Sequence, residues 1–465
     1  MNEQLRSELR AIVGPAGFVS DPVALEPHLT EWRGTYRGQT PALLLPDSTE
    51  AVARIVRACA RAETPIVPQG GNTGLSGGAI PDSSGTQVIV GMSRMNRIRS
   101  VDPDDFSMIA EAGCTLAALQ ETARQHQRLF PLSLAAEGSC QIGGNLSTNA
   151  GGTNVLRYGT ARAQALGLEV VLPSGEVWDG LRTLRKDTAG YDLKQLFIGA
   201  EGTLGIITAA SLKLFARPPA SEVAFIAVDS ADAAVALFGQ LREQLGEALQ
   251  AFEYVSDFAL ELVIRHIPAT ARPCERSIGG YVLIEAVGAD HPTGLQAALE
   301  RSAEEDLLTD AVVAKSVAEE GRFWRLRHSI SEAQKREGAG LKHDVSVPVG
   351  RVAQFIALGT RDVVGAIPGS RVVAFGHVGD GNVHFNVCQP ETVDAQSFLA
   401  KREAVATIVY DTVTGLGGSI SAEHGVGVLK REALVRYRSD IEVTLMKAVK
   451  QAIDPDNLMN PGKVL

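Results

Sequence analysis

Three glycine-rich loops fall within one half of this chain, and no other feature limits its fold as much. PQGGNTGLSGG (68–78) follows the short apolar run Pro65-Ile66-Val67. EGSCQIGGNLSTNAGGTNVLRYGT (137–160) carries six glycines, and FIGAEGTLGIIT (197–208) runs into a strand. Glycines at 70, 71, 74, 77 and 78 let the first loop adopt φ > 0 and bring its backbone close to a ligand. Successive N–H groups in such a loop can form a nest for a pyrophosphate. No G-K-[ST] follows, so this is not a Walker loop, and the spacing is not the G-x-G-x-x-G of a Rossmann site. Three separated Gly/Ser/Thr/Asn loops point to one extended, phosphate-bearing ligand.

The segments around the loops predict an α+β fold. Short β-rich runs at 41–46, 64–71 and 87–92 alternate with helices over 48–62 and 115–127, the first capped by Ser48 or Thr49. A proline pair in LFARPPASE (214–222) marks a boundary. Beyond it, strands at 222–228 and 280–288 lead into helices over 230–245 and near 292–305, a strand–helix pattern. Helices are expected over 400–415 and 430–453. The expected division of the 465 residues is a ligand-binding domain, 1–217 with its core at 38–217, a second domain, 218–425, and a helical C-terminal segment, 426–465.

The trio PQGGNTG, GGNLSTNAGG…YG and GAEGTLGI resembles the FAD-binding domain of the vanillyl-alcohol-oxidase-type flavoproteins over about 40–215. The resemblance implies non-covalent FAD held by Pro68, Gly70, Gly71, Asn72, Thr73, Gly74, Gly138, Gly143, Gly144, Asn145, Ser147, Asn149, Gly159 and Ile207. Some relatives attach FAD through a His or Cys in these loops; the first loop here has neither, and Cys140 is the one thiol in the second.

A second constellation lies far along the chain. GHVGDGNVHFNV (376–387) places His377 and His384 around a glycine-rich turn between two strand-like runs. An Asp-Gly there favours a hairpin. A four-residue loop at 379–382 would set His377 directly opposite His384, with Cβ atoms about 4.5–5.5 Å apart. Asn386 would share that face. GGSISAEHGVG (417–427) adds Glu423 and His424. Two His and one Glu form the ligand set of a catalytic zinc site with an open position, and an imidazole with a pKa of about 6.5 suits a general base. Spacing leaves open which of Glu423 and His424 would bind metal. Both segments are similar to signatures of the FAD-dependent D-2-hydroxyacid dehydrogenases, especially the branch acting on D-2-hydroxyglutarate. The resemblance implies that His377, His384 and Glu423 bind zinc, Asn386 contacts substrate, and His424 is the catalytic base.

WRLRHSISEAQKREGAGLKHDVSVPV (324–349) is locally basic. Helical spacing sets Arg327 and Ser331 on one face, and Lys342 follows a glycine break; an Arg fork and a Lys suit a carboxylate. The same family binds substrate through an Arg, a Thr and a Lys in this segment, so Arg327, Ser331 and Lys342 are the implied equivalents, with Ser in place of Thr. The tail DPDNLMNPGKVL implies that Asn460 lies near the flavin. Together these imply oxidation of D-2-hydroxyglutarate to 2-oxoglutarate. The alternatives are a D-lactate, D-malate or glycolate-type dehydrogenase, or a non-catalytic flavin-binding subunit.

Composition narrows the partners. A net charge of −10 without a basic block argues against nucleic acid. No apolar run reaches the roughly 18–20 residues of a membrane helix, and the N-terminus reads as an amphipathic helix, not a secretory signal. Five scattered cysteines without C-x-x-C spacing exclude an iron–sulfur motif and fit a reducing, cytoplasmic setting. Electrons must therefore leave to an external acceptor such as an electron-transfer flavoprotein or a quinone-linked carrier. The expected assembly is a homodimer.

Overall fold

A computed structural model describes residues 1–465 apart from 219, 276, 278 and 289–293. The second proline of LFARPPASE and the start of the helix expected from 292 lie outside the described residues; the described helix there is Leu295–Glu304. The chain forms two compact units, one of residues 1–151, 158–217 and 423–465, the other of 152–157 and 218–422.

The first unit is built on two sheets. In the four-stranded sheet, Leu43–Leu44, Val88–Gly91 and Ile66–Gln69 run parallel side by side. The helix Thr49–Arg61 starts where Ser48 Oγ accepts from Ala51 N–H, 3.3 Å away. Its face of Val52, Ile55, Val56 and Cys59 is fully buried, as the helical spacing requires. The five-stranded antiparallel sheet is centred on Ile206–Lys213, the strand that leaves the third glycine loop. The C-terminal tail is two helices, Arg431–Tyr437 and Asp440–Ile453, not one. The second starts afresh because Ser439 and Glu442 form a capping box. Beyond it the chain docks beside Ile66–Gln69, where Ile66 exchanges backbone hydrogen bonds with the tail: Ile66 N–H donates to Leu458 O (2.9 Å) and Asn460 N–H to Ile66 O (2.7 Å).

The second unit is a seven-stranded antiparallel sheet with helices against it. Its strand order is Asp310–Val313, Ser221–Ala227, Tyr281–Val287, Leu249–Val255, Arg371–Gly376, Asn382–Cys388 and Gly340–Ser346. Phe225, Tyr281, Leu283, Val373 and Phe375 pack with Phe323, Leu326 and Ile330 in one core. The basic segment is two helices, Val317–His328 and Ile330–Arg336, interrupted at Ser329. Among the described residues no helix is long and apolar enough to cross a membrane.

Candidate functional site

The first unit holds an open cleft lined by the first two glycine loops, part of the third, and His424. Of the residues expected to hold FAD, Pro68, Gly70, Gly71, Asn72, Thr73, Gly74, Gly143, Gly144, Asn145, Ser147 and Ile207 line it. Gly138, Asn149, Gly159 and Asn460 do not. Gly138 is exposed. Asn149 Oδ1 accepts from Arg162 N–H (3.0 Å), and Gly159 O accepts from Gln164 Nε2 (3.2 Å), so both shape the second loop from behind. Asn460 is buried and ties the tail to the cleft wall, its Nδ2 donating to Gly78 O (2.8 Å) and Glu201 O (2.7 Å).

The glycines work differently from the expectation of φ > 0. In the first loop only Gly77 takes it, at +72°. Gly71 serves close approach instead: a Cβ there would lie 1.9 Å from Ser139 O, so the first two loops pack backbone to backbone. The left-handed turn falls on Asn72 (φ 52°), whose side chain donates to Pro27 O (3.0 Å) and Thr30 O (3.1 Å). Asn72 therefore shapes the loop from its outer side.

Two observations test the fit to FAD. Gln141 Oε1 and Asn145 Oδ1 are buried in the cleft wall without a protein partner, and such atoms call for a donor from a ligand. Gly144 offers open space: a Cβ there meets nothing within 4 Å. Residues and cradle fit the cofactor. Cys140 is 2% exposed and sits in the hydrophobic core, outside the cleft lining. Gly144→Ala would point a methyl into the cradle without touching the core; we expect FAD to be held at least tenfold more weakly, measured by flavin fluorescence on dilution, with the melting temperature of the flavin-free protein unchanged.

Gln141 and Glu201 also line the cleft but went unassigned in the sequence, although both lie inside the quoted loops. Glu201 is 8% exposed. Burial pushes its carboxyl above the ordinary glutamate range, against the pull of two backbone N–H donors from Val426 and Gly427. Glu423 packs on the second loop, where a Cβ on Gly151 would lie 2.7 Å from its Oε1.

In the second unit the strand register differs from the one expected. His384 pairs with Phe375, not His377. The hairpin closes earlier, because Asn382 N–H donates to His377 O (3.2 Å) and residues 378–380 wind into a 3₁₀ turn ending at left-handed Gly381. His377 and His384 are then diagonal neighbours that share a face, with ring centroids 5.7 Å apart and edge-on. The pleat assembles the rest of that face. Lys342 lies opposite Asn386 and Asp344 opposite His384, and Val255 opposite Phe375. Glu253, two residues before Val255, points the same way.

Glu253 is the centre of this face. It is 1% exposed. Its Oε2 accepts from Arg327 Nε at 2.7 Å, and its Oε1 is bonded to His377 Nδ1. Burial alone would raise its carboxyl, but His377 and Arg327 overcome this and hold it at about 2. It is ionised at neutral pH. Arg327 stacks over Phe375, 4.8 Å from the ring centroid. The single helix face expected for Arg327 and Ser331 is not there: Arg327 is buried and Ser331 exposed, on either side of the Ser329 break. Gln334, a turn further on, is the buried polar residue, and its Oε1 accepts from Asn386 Nδ2 (3.0 Å). Its Nε2 is buried without a partner. Asn386 Oδ1 accepts from His343 N–H (3.2 Å), and Asp344 Oδ1 lies 3.6 Å from His384 Nδ1.

The donor chemistry fits a divalent metal. Imidazole nitrogen is a ligand of catalytic zinc, and a carboxylate on Nδ1 is the support that metal-binding histidines use to fix tautomer and ring orientation. Glu253 is recognisable in retrospect as the one charged residue in the strand LQAFEYV.

Two family models together match most of the chain. Residues 40–180 match the family described as FAD binding domain, and residues 217–464 match FAD linked oxidases, C-terminal domain. The chain is 39% identical over 469 residues to a probable mitochondrial D-2-hydroxyglutarate dehydrogenase of Oryza sativa subsp. japonica, covering 100% of this chain and 82% of the relative. It is 37% identical over 447 residues to the D-2-hydroxyglutarate dehydrogenase of Xanthomonas citri pv. viticola, covering 96% and 93%. Among solved structures, p-cresol methylhydroxylase with substrate bound superposes with a TM-score of 0.78 at 17% identity, covering 99% of this chain and 96% of that one. That likeness establishes the vanillyl-alcohol-oxidase-type fold.

Proposed function

The chain belongs to the FAD-linked oxidases and is an FAD-dependent oxidoreductase, and from that premise we propose that it oxidises D-2-hydroxyglutarate to 2-oxoglutarate with a divalent metal, zinc by donor type. The observation that carries the reading is 39% identity along the whole chain to proteins named D-2-hydroxyglutarate dehydrogenases. The residue types at the site support it.

FAD, when bound, would supply the hydride acceptor, and a metal, which His377, His384 and Glu423 would hold, would supply a Lewis acid for the substrate hydroxyl. The rest is the work of side chains. His424 takes the hydroxyl proton. Asn386 and Lys342 contact substrate from neighbouring strands. Arg327 orients the distal carboxylate: with Nε committed to Glu253, its terminal nitrogens make the contact. D-Lactate has no distal carboxylate and gains nothing from that contact. Reoxidation by an electron-transfer flavoprotein or quinone-linked carrier, dissociable FAD, a homodimeric assembly and a cytoplasmic setting belong to the same reading.

A panel of D- and L-2-hydroxy acids with a dye acceptor, with and without chelator, tests it. D-2-hydroxyglutarate should show the highest kcat/KM, L-acids should fail, and chelator should stop turnover. A preference for L-acids would overturn the substrate assignment, and indifference to chelator would remove the metal. Arg327→Lys keeps a cation beside Glu253 but loses the guanidinium fork. It should cost about 10- to 100-fold in kcat/KM for D-2-hydroxyglutarate and clearly less for D-lactate; equal losses would refute a distal-carboxylate role.

A further inference from the structure

Glu201 carries more than a place in the cleft wall. Its backbone N–H donates to Ser147 O at 2.8 Å, and its carbonyl accepts from Asn460 Nδ2 at 2.7 Å. Its carboxylate accepts from Val426 N–H at 2.7 Å and from Gly427 N–H at 2.8 Å, one donor to each oxygen. The second loop, the C-terminal tail and the turn after His424 therefore all end on one residue. The fit is tight. A Cβ on Gly425 would stand 2.7 Å from Oε1, and one on Gly78 would stand 2.9 Å from Oε2. Glu201 itself is held at φ 52°, a strained conformation for a residue of this kind. Gly425 and Gly427 are also left-handed, at 71° and 51°. The turn that follows His424 is thus built from permissive residues and owes its position to a buried acceptor.

We propose that Glu201 is the positioning residue for His424: it pins the 425–427 turn and so presents the imidazole at the flavin cleft. The inference rests on the reading of His424 as the base. Its chemistry requires a carboxylate. Two N–H donors meet two oxygens; glutamine would turn an N–H₂ group toward one of those donors and leave it unbonded. Aspartate is one methylene too short to reach both.

Wild type, Glu201→Gln, His424→Ala and the double variant, all as holoenzyme, can be compared by rapid mixing with D-2-hydroxyglutarate in the absence of acceptor. FAD content and substrate Kd are measured in parallel. Glu201→Gln should keep FAD and substrate affinity yet reduce its flavin about 10- to 100-fold more slowly, the scale of a displaced catalytic group. The double variant should be no slower than His424→Ala alone, because the two residues act through one group. Glu201→Asp should fall between wild type and Glu201→Gln, and it serves as the test if Glu201→Gln does not fold. Three results would overturn the proposal: wild-type reduction in Glu201→Gln, losses that multiply in the double variant, or loss of FAD with unchanged rate per bound flavin. His424→Ala at wild-type rate would remove the base reading instead, and a slow Glu201→Gln beside it would then overturn the positioning role as well.

Discussion

Replacing His424 with alanine is expected to slow flavin reduction by about 10²- to 10⁴-fold while FAD stays bound, the range for removal of a general base. The expectation comes from where the ring sits. His424 lines the same cleft as the first two glycine loops, in the unit that holds the FAD-binding residues. A 2-hydroxy acid loses a proton from oxygen as well as a hydride from carbon, so one group at the cleft must take the proton. The loss should appear in the reduction step followed at the flavin absorbance, with little change in FAD content. Added imidazole should restore part of the rate, since the variant lacks only a small base. A variant that turns over within a few-fold of wild type would exclude His424 from that role.

Glu253→Gln is expected to destabilise the second unit by about 3–5 kcal/mol, the cost of breaking a buried ion pair by removing one partner. Arg327 is 7% exposed and bonded to Glu253. The amide would leave its charge uncompensated in the core, next to Phe375. For a unit of this size the midpoint should fall by roughly 6–20 °C. Trp324 lies in this unit and stacks on His328 at 5.3 Å, so its fluorescence reports the loss, whereas flavin release reports the first unit. Adding Arg327→Met should return a large part of the stability, because replacing both partners by apolar groups removes the buried charge altogether. An unchanged Trp324 transition in Glu253→Gln would show that the pair contributes nothing to this fold. The same substitution withdraws the support of His377 Nδ1; metal affinity, read by chelator competition, should fall about 10- to 100-fold.

Local pattern made much of this protein legible. The helices Thr49–Arg61 and Ala231–Leu245 fall within a residue or two of their expected bounds because a serine cap and an apolar stripe are both written in adjacent residues. The glycine loops were legible for the same reason, and the three of them supply most of the cleft lining. Hairpin register was not. A choice between residues 378–381 and 379–382 as the loop moves every pairing by two positions, and the strand residues themselves accept either. The shared face of His377 and His384 survived the error because the shift was even, and an odd slip would have turned the histidines apart.

The residues that went unread share a cause. Glu253 is 124 positions from His377, and Glu201 is 225 from Val426. Each was visible as a lone charge in an apolar strand or a glycine loop, but neither residue's partners lie near it in sequence. Ser331 shows the converse: spacing of four predicts a shared face, and a one-residue break at Ser329 removed it.

By itself the sequence determined the fold class and the glycine loops of the flavin cradle, since these follow from residue type and from local patterns along the chain, and through family resemblance it nominated the side chains proposed to react. Only the tertiary structure decided which groups support them: that a single buried carboxylate joins Arg327 to His377, and that another pins the turn after His424. Such partners are selected by burial, because a charge removed from water must find its counter-charge or donors wherever the packed chain places them.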